Sequence, residues 1–457
     1  MPGVQPGEQV VLEVEDLSHS GEGVGRWQGR VVFVPLAVPG DRVRVTVVEV
    51  KKNYLRARLE EVIDPGPSRC RPECPSFGSC GGCHIQHLPY ECQLQYKTGR
   101  VRNSLERIGR LGGIRVLPAL GMNHPWHYRN KVRFHVMLRE GRPALGLYAP
   151  DSHTPGYWVG DGTRCRILDR ELNELSLIID HLLGQYRDEL LQGPAPLISH
   201  VTLRRAVATG ETMLVLAAGG GRPRLGKLAA ELAGTGRVTT IIRQEAARPG
   251  REGRADGVEV LYGRGYITDY LGGLAFRLSA DSFYQVNPVQ TRVLYEKVGE
   301  YAGLTGRERV VDAYCGVGTI ALFLARQARE VLGMELSSRA VADARQNARL
   351  NGLGNASFLQ GAVEKLLPRL FRRDGGPDVL VLDPPRRGCH RSVLETLARY
   401  PVPRVVYVSC DPGTLARDLG LLAGHGYRVV EVQPVDMFPQ TCHVECVSLL
   451  ERPASSG

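Results

Sequence analysis

The chain has no run of about 18 apolar residues and no charged-then-apolar amino terminus, so neither a membrane span nor a secretion signal is expected. It also lacks internal repeats and long low-complexity tracts, which sets aside solenoids and extended disordered arrays. The expectation is a cytoplasmic protein with no membrane partner.

What is present is ordinary in bulk and informative in pattern. At 457 residues the chain is too long for one core, and domain-size scaling implies roughly two to four. Hydrophobic residues make up 43% and charged residues 23%, a globular balance. Lys and Arg number 58 against 48 Asp and Glu, and the resulting +10 favours a polyanionic partner through steering and counterion release. In a reducing compartment, 11 cysteines point to metal binding or catalysis rather than a disulfide framework.

Residues 1–64 read as a small β-barrel: RVRVTV at 42–47 and LRARL at 55–59 alternate, with Gly-rich turns between, and DPGPS at 64–68 ends the unit. Residues 65–275 form a central α+β region. It opens on a cysteine patch and a helix over about 90–112, in which Leu94, Val101, Leu105 and Ile108 recur at near-helical spacing. Lys97, Arg100, Arg102 and Arg107 fall elsewhere around that helix, giving a face that is either solvated or turned to RNA. From 276 to 457, helices and strands alternate, the mark of a largely parallel sheet covered on both faces. Asn287 is the expected N-cap of that region's first helix, with Pro288 at its first position.

Three motifs fall at predicted strand ends, where open α/β sheets keep their ligands. RVVDAYCGVGTIALFLA, 309–325, is a strand, a glycine turn and an apolar helix, and the next strand ends in Glu335, suited to ribose hydroxyls. NAD and S-adenosylmethionine both fit this pattern. Asp312 favours the second, because a carboxylate suits a cationic methionine end better than a pyrophosphate. DVLVLDPPRRG, 378–388, holds Asp383 at a strand end behind two prolines, with Arg386 and Arg387 free to meet phosphate. RVVYVSCDPGTL, 404–415, puts Cys410 between a core strand and a turn, the position either of a nucleophile or of a small buried hydrophobe, the usual fate of an unpaired cysteine. Further on, Glu445 interrupts the apolar VECVSLL, either paired or tuned as a general base.

Cys74-x5-Cys80-x2-Cys83 is a metal-binding spacing, for zinc or an iron-sulfur cluster. Spacing leaves the fourth ligand open among Cys70, His84, His87 and Cys165.

In this order, SFYQVNP, DAYCGVGT, LDPPRRG, YVSCDPGTLARDL and MFPQTCHVE, together with CPSFGSCGGC, resemble the RNA (uracil-5-)-methyltransferase family over nearly the whole chain. The resemblance is to its ribosomal members, which carry an amino-terminal RNA-binding TRAM barrel. It implies a Rossmann-like α/β methyltransferase domain after an OB-like barrel and a central iron-sulfur domain. It also implies that Gln285, Tyr314, Glu335 and Asp383 bind S-adenosylmethionine, with Cys410 the nucleophile and Glu445 the base. Cys74, Cys80, Cys83 and Cys165 fall on ligands of a [4Fe-4S] cluster, and the implied partner is ribosomal RNA. Asp411 stands where the family more often has Asn, an acidic neighbour expected to raise the thiol's pKa. The competing classes are a transfer RNA uridine methyltransferase, an NAD-dependent iron-sulfur oxidoreductase and a non-catalytic RNA-binding factor.

Overall fold

Period-two alternation near the amino terminus closes on itself. In the computed structural model, which describes residues 4–191, 196–218, 225–245 and 257–452, the strands Gln9–Leu17, Gly23–Trp27, Arg30–Val34, Arg42–Val50 and Tyr54–Asp64 form a closed barrel. Val10, Leu12, Val14, Val43, Val45 and Val47 fill its interior, and their polar neighbours face out. The barrel is bound to the next segment. Asp41 accepts a salt bridge of 2.6 Å from Arg69, Tyr96 donates to the Ser18 carbonyl at 2.7 Å, and Val38 packs with Ile85 and Leu88.

The central region builds a seven-stranded sheet, with Lys131–Arg139, Ile198–Arg205 and Thr212–Ala218 at its middle. Helix Arg170–Gln185 covers it, capped by Asp169, which accepts from the Glu171 and Leu172 amides. The hairpin Ile267–Leu271 and Leu274–Leu278 straddles the expected boundary at 275/276, and its apolar side packs into the carboxyl-terminal core.

That core carries an eight-stranded sheet. In spatial order it runs Ala356–Gln360, Glu330–Glu335, Arg309–Ala313, Val379–Leu382, Arg404–Ser409, Glu445–Glu451, Arg428–Val435 and Arg115–Val116. The first five strands are parallel, and Glu445–Glu451 is inserted antiparallel between its two neighbours. The order reverses between Arg309–Ala313 and Val379–Leu382, which opens a crevice beyond their carboxyl ends. Helix Pro288–Ala302 begins as expected, with Asn287 accepting from the Gln290 amide.

Two pieces of the amino-terminal half belong physically to this body. Arg115–Val116 pairs in parallel with Arg428–Val435 at the sheet edge. Helix Tyr90–Arg107 packs on helix Pro412–Gly424, with Gln93, Lys97, Val101 and Leu105 as its buried stripe. This corrects the sequence reading of Lys97, which neither faces solvent nor is free for RNA: it is 0% exposed and paired with Asp436. Ile108, expected in the apolar stripe, lies past the helix end and is exposed.

Candidate active site

The site is assembled from consecutive strand ends of the parallel sheet. Leu382 pairs with Ala313 on one side and Tyr407 on the other, so the residues that follow these strands leave the sheet side by side. After Ala313 the chain turns through Tyr314, at φ +69°, Gly316 at +55° and Gly318 at +83°, into helix Thr319–Ala325. Tyr314 is a non-glycine residue in the left-handed region, strain of the kind that gathers at ligand-binding turns. A Cβ on Gly316 would meet nothing within 4 Å, leaving space above the turn for a ligand. Glu335 closes the turn from the neighbouring strand, accepting from the Gly316 amide at 3.2 Å and the Ser337 amide at 2.7 Å.

Beneath the turn, Asp312 is fully buried, and among the described residues neither carboxylate oxygen has a partner at full hydrogen-bond geometry, the Ala321 amide being the nearest favourable group. Burial, reinforced by Asp383, pushes its pKa well above the usual carboxylate range. An orphaned buried carboxylate is costly unless a ligand compensates it, and a cationic methionine end would do so. Gln285 is half-buried in the segment before helix Pro288–Ala302. That segment is tied to the loop that leads into Glu445 by Asn287 Nδ2, which donates to the Met437 carbonyl at 3.0 Å.

Cys410 follows strand Arg404–Ser409 directly. Ser409 pairs with Cys446, so extending the antiparallel register by one residue sets Cys410 opposite Glu445. Burial, Glu445 and Asp383 raise the Cys410 thiol to about 11, and Arg386 opposes them. Burial and Asp383 raise Glu445 to about 8, again against Arg386. Asp383 itself is raised to about 7 by burial. Cys410 and Glu445 thus both feel the charges of Asp383 and Arg386.

Asp411 is not part of that group. Its carboxylate caps helix Pro412–Gly424, accepting from the Thr414 amide at 2.8 Å, and the charges that raise the thiol are those of Glu445 and Asp383. Arg386 is anchored through its carbonyl by Thr414 Oγ1 at 3.0 Å. Sequence reasoning missed the support under Glu445. The segment 436–443 is held by Lys97 on the Phe438 carbonyl, Gln93 with Gln440, and Tyr128 on the Pro439 carbonyl.

The cysteine loop faces the same side of the molecule. Cys74, Cys80, Cys83 and Cys165 line a cavity of about 430 Å³, whose other walls include Arg386, Phe438 and His443. Burial raises the Cys80 thiol to about 11 and the Cys83 thiol to about 12, and it raises Cys165 as well, with the neighbouring cysteines adding to each rise. Cys165 reaches them because Asn173, on helix Arg170–Gln185, bonds to both its amide and its carbonyl. Cys70 feels Cys92 instead, and His87 is buried against Phe77 outside the cavity wall.

Similarity searches agree with this architecture. A family model described as tRNA (Uracil-5-)-methyltransferase matches residues 252–453, and a TRAM domain model matches residues 3–59. A Halalkalibacterium halodurans protein described as an uncharacterized RNA methyltransferase is 42% identical over 98% of both chains. A Bacillus cereus protein of the same description is 41% identical, over 99% of this chain and 98% of its own. Among solved structures, the Pyrococcus abyssi tRNA (uracil-54, C5)-methyltransferase in complex with S-adenosyl-L-homocysteine superposes with a TM-score of 0.73 at 25% identity, covering 97% of this chain and 100% of that one.

Proposed function

Because the chain belongs to the RNA (uracil-5-)-methyltransferase family and is an S-adenosylmethionine-dependent enzyme of that kind, we propose that it methylates C5 of a uridine in 23S ribosomal RNA through a covalent adduct on Cys410. The observation that carries this reading is the register of two strands, which sets a thiol opposite a buried carboxylate at the ligand edge of the sheet.

Uracil C5 is a weak nucleophile, so a sulfur must first add to C6. Cys410 Sγ gives its proton to solvent and bonds to C6, the C5–C6 π pair moving onto the C4 carbonyl as an enolate whose electrons make C5 nucleophilic. S-adenosylmethionine, when bound, supplies a methyl group on a sulfonium centre. Gln285, Tyr314, Glu335 and Asp383 are the residues we assign to holding it. After C5 has gained the methyl group, Glu445 takes the C5 proton, the C6–S bond breaks, and the ring recovers its double bond. The uridine must leave its stack to reach Cys410, and the barrel and exposed arginines supply affinity and register.

The four cysteines suit a [4Fe-4S] cluster better than one zinc ion. A tetrahedral zinc would draw its sulfurs to about 3.8 Å from one another. Among the described residues, no three of Cys74, Cys80, Cys83 and Cys165 have sulfurs all within 4.8 Å. Methyl transfer moves no electrons, so a cluster held there fixes the loop beside the RNA path. A uridine in transfer RNA is the second reading, favoured by the likeness to the Pyrococcus enzyme.

The test is labelled methyl transfer to RNA by wild type and two variants. Cys410→Ala is expected to lose transfer and to form no adduct. Glu445→Gln is expected to accumulate an RNA-protein complex that survives denaturing electrophoresis, because addition proceeds and elimination stalls. Methylation by Cys410→Ala would overturn the mechanism. Mapping 5-methyluridine in ribosomal and transfer RNA from cells with and without the protein decides the substrate.

A further inference from the structure

Three donors that methyl transfer leaves unused meet where the three parts of the chain touch. His84 follows Cys83 in the cysteine loop, and Cys442 and His443 lie in the segment that runs into Glu445. The barrel turn at Gly21 covers them, since a Cβ there would stand 3.6 Å from the Cβ atoms of both His84 and Cys442. One ligand atom from each of His84, Cys442 and His443 lies within 4.8 Å of the others, the single such group among the described residues.

The spacing is close to that of a coordinated set. Cys442 Sγ is 3.7 Å from His84 Nδ1. Bonds of about 2.0 Å to nitrogen and 2.3 Å to sulfur, in a tetrahedron, set N···S near 3.5 Å and N···N near 3.3 Å. Small rotamer adjustments therefore close the group on an ion. The backbone already holds the two loops together: the His84 and Ile85 amides donate to the Gln440 carbonyl at 3.0 and 3.2 Å, and Arg100 donates to the Cys442 carbonyl at 2.6 Å. The Cys442 amide donates to His84 Nδ1 at 3.4 Å, so that nitrogen carries a lone pair rather than a proton, and this long bond is given up when the ring turns toward an ion. Burial raises the Cys442 thiol above its ordinary range, and Arg100, Lys97 and Arg386 oppose that rise without cancelling it, so it is the bond to a metal that would draw off the proton.

We propose that His84, Cys442 and His443 bind a single zinc ion, in a site separate from the four-cysteine set, which clips the cysteine loop to the segment carrying the general base. On binding, the Cys442 S–H bond breaks, a sulfur-zinc bond forms and the proton leaves to solvent. Imidazole and thiolate together suit zinc, which needs no redox partner. His84 and His443 both line the cavity, so the fourth position opens into it. This site does not depend on the identity of the metal at the four cysteines.

The experiment uses the full chain, purified anaerobically, equilibrated with zinc and desalted. Iron and zinc are counted, and the zinc environment is read by X-ray absorption at the zinc edge. About one zinc per chain is expected, with one sulfur and two imidazole scatterers. His84→Gln and Cys442→Ser should each lose it with iron content unchanged. Wild type that keeps iron but no zinc would overturn the proposal, as would variants that both keep zinc. Zinc surrounded by sulfur alone would place the ion at the four cysteines, overturning this site and the iron-sulfur reading together.

Discussion

At Cys410 and Glu445, burial and neighbouring carboxylates oppose the charged forms that the proposed adduct chemistry requires. A thiol near 11 is ionised to roughly one part in ten thousand at pH 7. A carboxyl group near 8 is mostly protonated there, yet it must be unprotonated to accept the C5 proton. Activity limited by that step therefore climbs with pH up to about 8. Arg386 is the charge that favours both anions, so Arg386→Gln raises both pKa values. The acidic limb of the pH-rate profile should move upward by about one pH unit, with a rate loss of roughly tenfold at pH 7. Single-turnover release of methylated RNA from its protein adduct across pH measures it, and an unmoved limb with only a raised KM would make Arg386 a phosphate contact. Cys410 was legible in the sequence because an apolar strand ends just before it and a Pro-Gly turn follows. The role of Asp411 was not, since sequence does not say that its carboxylate is spent on the Thr414 amide.

At the scale of elements, helix Tyr90–Arg107 shows where periodicity misleads. Its apolar residues suggested a stripe through Leu94 and Ile108, whereas the buried face runs Gln93, Lys97, Val101, Leu105. Two of those four are polar, and a hydrophobicity pattern has no means of marking a lysine whose partner, Asp436, lies 339 positions away. The pair is fully buried, with Tyr90 also donating to Asp436 at 2.8 Å. Removing one partner strands a buried charge. Lys97→Met should therefore cost about 3–5 kcal/mol, whereas Lys97→Met with Asp436→Asn should recover a substantial part of it. Denaturant unfolding of the carboxyl-terminal domain reads both variants, and a double variant no more stable than Lys97→Met would refute the coupling. Because Lys97 also holds the Phe438 carbonyl, the single variant should lower kcat more than it raises KM.

Across the whole molecule, the alternation of strands and helices after Asn287 made the parallel sheet legible, and the alternating valines made the barrel legible. How the parts meet was not legible, because Asp41 to Arg69, Ser18 to Tyr96 and Gly21 to His84 are pairings between segments with no shared pattern. This mutual packing decides how the RNA path can be tested. Deleting the barrel would uncover Ile85 and Leu88 and leave Arg69 without Asp41, so lost binding would report lost structure as well. Charge removal at the cavity rim is the cleaner probe. Arg133 and Arg166 line the cavity, are exposed, and have no ion-pair partner among the described residues. If single-stranded RNA crosses this rim, each neutralises about one phosphate and contributes about 0.7 to the slope of log affinity against log salt. Arg133→Gln with Arg166→Gln should then reduce that slope by about 1.4, read by fluorescence anisotropy of labelled RNA across a salt series. Metal content should stay constant, since neither side chain is among the proposed ligands. An unchanged slope would route the RNA away from the cysteine loop and leave the barrel as its main electrostatic contact.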